Sequence, residues 1–233
     1  MQIVVVVRQP MLAGRPARLD DADEIAVDQA RRIALCRRDV EVTALAPGPA
    51  AAAATVRRAL ALGADVGVHV HDARLPGGDA LAISRVLATA VQRVGFDLVV
   101  CGCAPADAAW AMVPAMLAER LGVPSLCFAD TLRVGSRTVE ISRPEVYQAA
   151  LPAVVSVTER CGEPRYQRFS AAARQPVRTW SLADLGLDDD SLAEATTVVA
   201  AMPMPRRTGT VIQGDPATAA GRVADFLAER QFL

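Results

Sequence analysis

The 233-residue chain predicts an α/β fold, doubly wound around a mostly parallel sheet. Three observations carry that prediction. Short β-branched or apolar runs alternate with helical segments four times between Gln2 and Gly122. The runs are apolar throughout, as strands buried on both faces require. Small connecting turns built on Gly and Pro separate them, which suits right-handed crossovers with helices on both faces.

Gln2 to Val7 is the first strand, a continuous β-branched run. Arg8 to Arg18 reads as a loop broken by Pro10, Gly14 and Pro16. Asp20, Asp21 and Asp23 mark the start of a helix from about Ala22 to Arg38, because carboxylates favour the positive end of a helix dipole. Val40 to Leu45 is the second strand, with Pro47-Gly48-Pro49 as its turn. An Ala-rich helix covers Ala50 to Leu62 and stops at Gly63. Val66 to Val70 is the third strand, and a helix from about Asp79 to Val94 follows it. Leu98 to Cys101 is the fourth strand, Gly102 opens its turn, and the helix behind Asp107 ends at Gly122.

Beyond Pro124 the pattern changes. Ser125 to Val134 and Arg137 to Ser142 predict two strands joined in a hairpin at Gly135-Ser136. Leu151 to Glu159 is another β-rich run, Cys161 to Pro176 is polar and Arg-rich, and Trp180 to Leu185 reads as a helical turn. Ala195 to Ala201 is extended, an arm follows through Pro203, Pro205, Arg206 and Arg207, and a last helix runs from about Pro216 to Glu229. The expected division is an α/β domain over residues 1–185 and a C-terminal arm and helix over residues 186–233.

Composition narrows the function classes. Every basic residue is Arg, and the formal net charge is −1, so the chain offers no basic field for nucleic acid. No apolar run is long enough to span a bilayer. MQIVVVVRQP lacks a basic region ahead of its apolar run and reads as a strand, which leaves a cytoplasmic location as the default. The cysteines Cys36, Cys101, Cys103, Cys127 and Cys161 are odd in number and lie mostly in apolar segments, so buried reduced thiols are expected. His69 and His71 alternate with valines and could share a face; with no third ligand indicated, they read as strand-end or surface imidazoles.

Asp97 to Pro124 is the stretch around which the rest is organised. A parallel strand running straight into a helix leaves backbone N–H groups at its carboxyl end, where anionic ligands bind in such folds. This stretch also carries a family resemblance. It is similar to the nucleotide-binding turn of the β (small) subunit of electron-transfer flavoproteins, whose pattern runs G-x-Q-A-x-D-x-D-x-x-Q-V-G-P-M-L-A-E-x-L-G-x-P. Gly102, Asp107, Val113, Met116, Leu117, Ala118, Glu119, Leu121, Gly122 and Pro124 match it, while Ala109 and Met112 replace two polar positions. Asp23 to Val27 resembles the family's N-P-[FY]-[DC]-E-x-A-V helix start, and Arg58 to Asp65 resembles R-x-A-L-A-M-G-A-D. Leu151 to Val155 and Glu163 to Tyr166 resemble L-P-A-V-V and N-E-P-R-Y, and the C-terminal P-x-P-R-R-x-G also matches.

The resemblance implies an adenine nucleotide α-hydrolase-like fold and a heterodimer with an electron-transfer flavoprotein α subunit. That subunit would hold most of an FAD, and AMP would lie in this chain. Electrons would pass from a flavoprotein dehydrogenase to a quinone-linked acceptor, with no bond made or broken by this chain. The nucleotide contacts it implies are backbone at Val6, Val7 and Arg8, framing by Ala64 and Asp65, and the turn formed by Gly102, Asp107, Ala108, Ala109, Trp110, Ala111, Met112 and Val113. Glu163, Pro164, Arg165, Tyr166 and Phe169 fall where the family docks its dehydrogenase, Phe169 standing near an exposed leucine of the pattern.

Departures accompany these matches. Asp20, Asp21 and Ala22 replace N-P-F, the Arg8 to Arg18 loop is short, and Arg143-Pro144-Glu145-Val146 stands where the family has a glycine pair. This divergence and the Arg-only composition suit a specialised bacterial branch, such as the one associated with the redox peptide cofactor mycofactocin. Two alternatives share the fold: a nucleotide α/β-phosphate hydrolase, and a stand-alone adenine-nucleotide-binding module with no redox role. The first calls for an S-G-G-x-D-S loop after the first strand, where this chain has RQPMLAG.

Overall fold

The computed structural model describes residues 1–8, 19–75, 79–103, 108–164, 177–188, 192, 199–200, 202, 209, 211–212 and 214–232. The chain divides into two units, Met1–Thr197 and Val198–Leu233. The first unit is built on a seven-stranded sheet. Its strands are β1 (Gln2–Val6), β2 (Glu41–Pro47), β3 (Val66–Val70), β4 (Leu98–Gly102), β5 (Ser125–Ala129), β9 (Ala153–Val157) and β10 (Val177–Trp180). The order across the sheet is β10-β3-β2-β1-β4-β9-β5, and every pairing is parallel.

The period of two in β1 explains how one strand serves two cores. Ile3, Val5 and Val7 enter the core beneath α1 (Asp21–Cys36) and α2 (Ala52–Leu62). Val4 and Val6 enter the opposite core, beneath α3 (Ala80–Val94) and α4 (Ala108–Leu121). Local chemistry fixes the helix ends. The Asp20 carboxylate accepts from the Ala22 N–H, and the Asp79 carboxylate accepts from the Leu81 and Ala82 N–H groups. Gly63 ends α2 at φ +118°, a left-handed conformation that favours glycine. A half-buried pair joins the two helices of the first core: Arg58 donates through Nε and a terminal nitrogen to Glu24 Oε1, at 3.0 and 2.9 Å.

The region after Pro124 differs in detail from the expectation. The stretch expected as one strand over Ser125 to Val134 is two. Ser125–Ala129 joins the parallel sheet beside β9, and β6 (Thr131–Val134) leaves it. The break falls at Phe128, whose φ of +63° accompanies a register shift between Leu126 and Ala129. β6 then pairs with β7 (Thr138–Arg143) through the expected Gly135-Ser136 turn. A further strand, β8 (Glu145–Ala150), completes an antiparallel sheet of order β6-β7-β8. Its residues are mostly exposed, so no alternation announced it in the sequence. Trp180 ends a strand, and the short 3-10 turn begins later, at Ala183.

In the second unit, α5 (Pro216–Glu229) is capped by Asp215, whose carboxylate accepts from the Ala217 and Thr218 N–H groups. Val223 and Phe226 remain about half exposed on it.

Gly67 shows how closely α2 seats on the sheet. A methyl group there would lie 2.7 Å from Val56 Cγ1 and 3.1 Å from Leu60 Cδ1. Gly67→Ala is expected to lower the urea midpoint with an unchanged slope, a loss of about 1–3 kcal/mol from overpacking.

Candidate functional site

The strand order reverses between β1 and β4. β2 and β3 are laid down on one side of β1, while β4, β9 and β5 lie on the other. In a doubly wound sheet the crevice outside the carboxyl ends of those two strands is the ligand position. Here it brings together Val6 to Arg8, Gly102, the first turn of α1 and the first turns of α4.

Arg8 is the centre of this cluster. Its backbone N–H donates to Asp23 Oδ2 at 2.8 Å, and its Nε donates to the same oxygen at 3.3 Å. A terminal nitrogen stands 3.5 Å from Asp20 Oδ2. The guanidinium lies over the Trp110 indole, 5.6 Å from the ring centroid. Both members of the central pair are almost wholly buried, Arg8 at 4% exposure and Asp23 at 0%. Burial pushes the Asp23 carboxyl up to about 6, although the Arg8 guanidinium and N–H pull it down. Among the described residues no donor reaches Asp23 Oδ1.

Gly102 explains the close seating of α1. A Cβ there would lie 2.3 Å from Asp23 Oδ1 and 2.6 Å from the Ala22 carbonyl carbon and the Asp23 nitrogen. The glycine expected as a nucleotide contact is therefore needed first to admit the start of α1.

The other expected residues separate into groups. Val6 and Val7 place their side chains in opposite cores. The Val7 N–H donates to Leu45 O at 2.9 Å and the Arg8 N–H to Asp23, so neither donor is open to an adenosine. Ala108 and Ala109 open α4, followed by the partly exposed Trp110 and Ala111 and the exposed Met112. Val113 is buried against the α3 side of the sheet, so only its backbone faces the turn. Asp107 lies outside the described residues.

Ala64 and Asp65 require a correction. They precede β3, and Asp65 exchanges hydrogen bonds with the backbone of Val42 at the start of β2. That is the amino edge of the sheet, about 15 Å from the crevice at ~3.3 Å per strand residue. Asp65 fixes the β2–β3 register, Ala64 donates to Ala59 O at the end of α2, and neither frames the crevice.

Glu163 and Pro164 follow the 3-10 turn Glu159–Cys161. Arg32 holds this segment by donating to Glu163 O at 3.2 Å, and Gln29 donates to Cys161 O at 2.9 Å. Arg165, Tyr166 and Phe169 lie outside the described residues.

His69 and His71 stack with ring centroids 5.4 Å apart, and both bond the Gly48 carbonyl, at 3.3 and 3.1 Å. His69 is buried at the end of β3, so it is a strand-end imidazole without surface exposure. Among the described residues no three potential ligands gather for a metal ion. None of the five cysteines is in a disulfide; Cys101 and Cys103 are buried, while Cys36 is exposed, contrary to the expectation for it.

Sequence reasoning missed Asp23 as a site residue. In the sequence it presents itself as a dipole-matched helix start, and the available signal is an acidic first turn that follows an Arg ending a buried strand. The residues present fit an anionic nucleotide at one end only. The positive end of the α4 dipole suits a phosphate. At the α1 start, the carboxylates of Asp20 and Asp23 oppose one, despite the same dipole.

The Asp23 carboxyl gives this cluster a pH signature. Folding raises its pKa from 3.8 to about 6, so the folded chain holds the proton more tightly than the unfolded one. The associated stability is complete below 3.8 and is lost as pH rises towards 6, by roughly 3 kcal/mol in all. The difference in unfolding free energy between wild type and Asp23→Asn, measured by urea titration, is expected to fall across that window and level off above it. A flat difference would show that Asp23 titrates alike in the folded and unfolded chain.

Comparison with known proteins places this arrangement. The family model described as "Electron transfer flavoprotein domain" matches residues 11–185. The chain is 32% identical over 233 residues to the electron transfer flavoprotein subunit beta of Mycobacterium tuberculosis, covering 93% of this chain and 88% of that one. It is 33% identical to the Mycobacterium leprae protein of the same name, with the same coverage. Identity to the Sus scrofa subunit beta is also 33%, over 81% of this chain and 76% of that one. With a family match over most of its length and relatives at this identity and coverage, the chain belongs to the electron transfer flavoprotein family.

Proposed function

We propose that the chain is the β subunit of a heterodimeric electron-transfer flavoprotein. It pairs with an α subunit that holds most of an FAD, takes electrons from a flavoprotein dehydrogenase and passes them to a quinone-linked acceptor. The observation that carries this reading is near full-length similarity to subunits of that name, combined with the crevice at the β1/β4 reversal. No described helix is long and apolar enough to cross a membrane.

The FAD supplies the redox chemistry, and this chain supplies a rigid wall for it. The seven-stranded sheet and its two cores fix the crevice, and Arg8, locked by Asp23 and Trp110, holds the start of α1 against β4. We assign an AMP to the crevice, with its phosphate at the first turn of α4 and its uncharged part towards α1, where the carboxylates tolerate donors and oppose anions. Residues 186–233 serve as the arm that packs on the α subunit. In support, Val223 and Phe226 on α5 stay about half exposed. Glu163 and Pro164 begin the segment that docks the dehydrogenase.

The test is co-expression with an electron-transfer flavoprotein α subunit, followed by acid extraction and identification of nucleotides by mass. A stoichiometric yellow complex with one FAD and one AMP is the expected result. A complex with FAD alone would remove the AMP assignment and leave the carrier reading intact. A chain that binds AMP but no α subunit would favour the stand-alone nucleotide-binding module.

A further inference from the structure

The bulge in β5 and the β7–β8 hairpin meet at an open cleft of about 530 Å3. Its walls include Phe128, Asp130, Arg143, Tyr147 and Thr158. The size is within the range of pockets that hold small molecules. None of these residues belongs to the crevice at the β1/β4 reversal.

Arg143 is held in an unusual way. Its guanidinium lies over two rings, 5.9 Å from the Phe128 centroid and 5.4 Å from the Tyr147 centroid. Among the described residues these ring contacts are its partners, and no hydrogen-bond acceptor or carboxylate takes its N–H groups. The other wall differs. Asp130 Oδ1 accepts from the Thr158 hydroxyl at 2.7 Å, and Asp130 Oδ2 stands 3.6 Å from Arg160. The Tyr147 hydroxyl donates to Glu145 at 3.0 Å. Asp130 and Glu145 thus have donors, while Glu159 and Arg160 complete the lining; of its two cations Arg160 faces Asp130, and Arg143 is the one whose fork meets no acceptor among the described residues.

The aromatic walls are fixed by backbone geometry. Phe128 has φ +63°, a conformation that side-chain-bearing residues rarely adopt. Its N–H is anchored by Ser156 Oγ at 2.9 Å, and the residue remains 41% exposed. A strained residue that presents an exposed ring to a cleft is characteristic of a binding position. Tyr147 is 38% exposed on β8, the outer strand of its sheet.

We propose that this cleft binds a small organic acid whose carboxylate is joined to a flat, apolar body. The guanidinium fork matches a carboxylate in two parallel N–H···O bonds. The rings of Phe128 and Tyr147 offer faces on which the body stacks. This site is independent of the nucleotide and flavin assignments above.

Benzoate, acetate and inorganic phosphate serve as probes, titrated into the 15N-labelled full-length chain while the Arg Nε–Hε resonances and the backbone amides of Phe128 and Tyr147 are followed, the amides serving as the readout in the Arg143 variant. Benzoate is expected to shift the Arg143 resonance saturably and to bind roughly tenfold more tightly than acetate. Arg143→Lys, which keeps the charge and loses the fork, is expected to weaken benzoate by roughly tenfold or more, and Tyr147→Ala to weaken benzoate while leaving acetate unchanged. Both side chains are partly exposed, so both variants should keep the wild-type urea midpoint. Absence of a saturable shift, or a benzoate affinity indifferent to Arg143→Lys, would overturn the site. Phosphate binding more tightly than benzoate would overturn the carboxylate preference. An acetylated Glu-Phe peptide amide binding more tightly than benzoate would overturn the free acid in favour of a protein-borne carboxylate.

Discussion

The contact between Gly102 and the first turn of α1 is the constraint on which the crevice depends. The end of β4 must pass beneath Ala22 and Asp23 with no room for a side chain. That approach buries the Asp23 carboxylate, and a buried carboxylate needs compensation. Arg8 provides it from the end of β1 with its backbone N–H, its Nε and its charge. One close approach thus links three elements: β4 through Gly102, α1 through Asp23 and β1 through Arg8. α4 joins them through Trp110. The compensation is incomplete, since Asp23 Oδ1 has no donor among the described residues. The raised pKa and the orphaned oxygen are two expressions of the same deficit.

Much of the fold was legible because its signals are local. Apolar strands, acidic helix starts and terminal glycines each reported on their own segment, and β3 and α5 fall within the predicted residues. The misses come from non-local terms. β8 is mostly exposed and shows no period of two, so its identity rests on pairing with β7. The division at Phe128 arises because β5 must stay beside β9 while the chain turns away, and no local residue preference marks a phenylalanine for positive φ.

The site was less legible than the fold for a related reason. Motif matching places residues in sequence order, while the crevice is ordered by the sheet. Ala64 and Asp65 matched a family pattern yet stand at the opposite edge, where Asp65 sets register with Val42. Val113 matched as well, but its side chain completes the core. Asp23 also lay inside a matched motif, and its role became visible only once Arg8 and Gly102 stood beside it. Arg143 and Pro144, in the segment that stands where the family pattern has a glycine pair, line a cleft together with Phe128.

Two helix starts meet at the crevice, and their dipoles alone would make both attractive to anions. Side chains separate them. The α1 start has spent its attraction on its own carboxylates: Asp20 caps the helix, Asp21, Asp23 and Glu24 fill its first turn, and Asp23 is neutralised in part by Arg8. The α4 start has no acidic residue in its first turn. The crevice is therefore polarised along the line from α1 to α4. A ligand with one anionic end and one hydrogen-bond-donating end fits that polarity, and a ligand charged at both ends opposes it. This polarity supports the mononucleotide proposed above over a dinucleotide whose diphosphate would reach towards α1, where four carboxylates stand at one helix start.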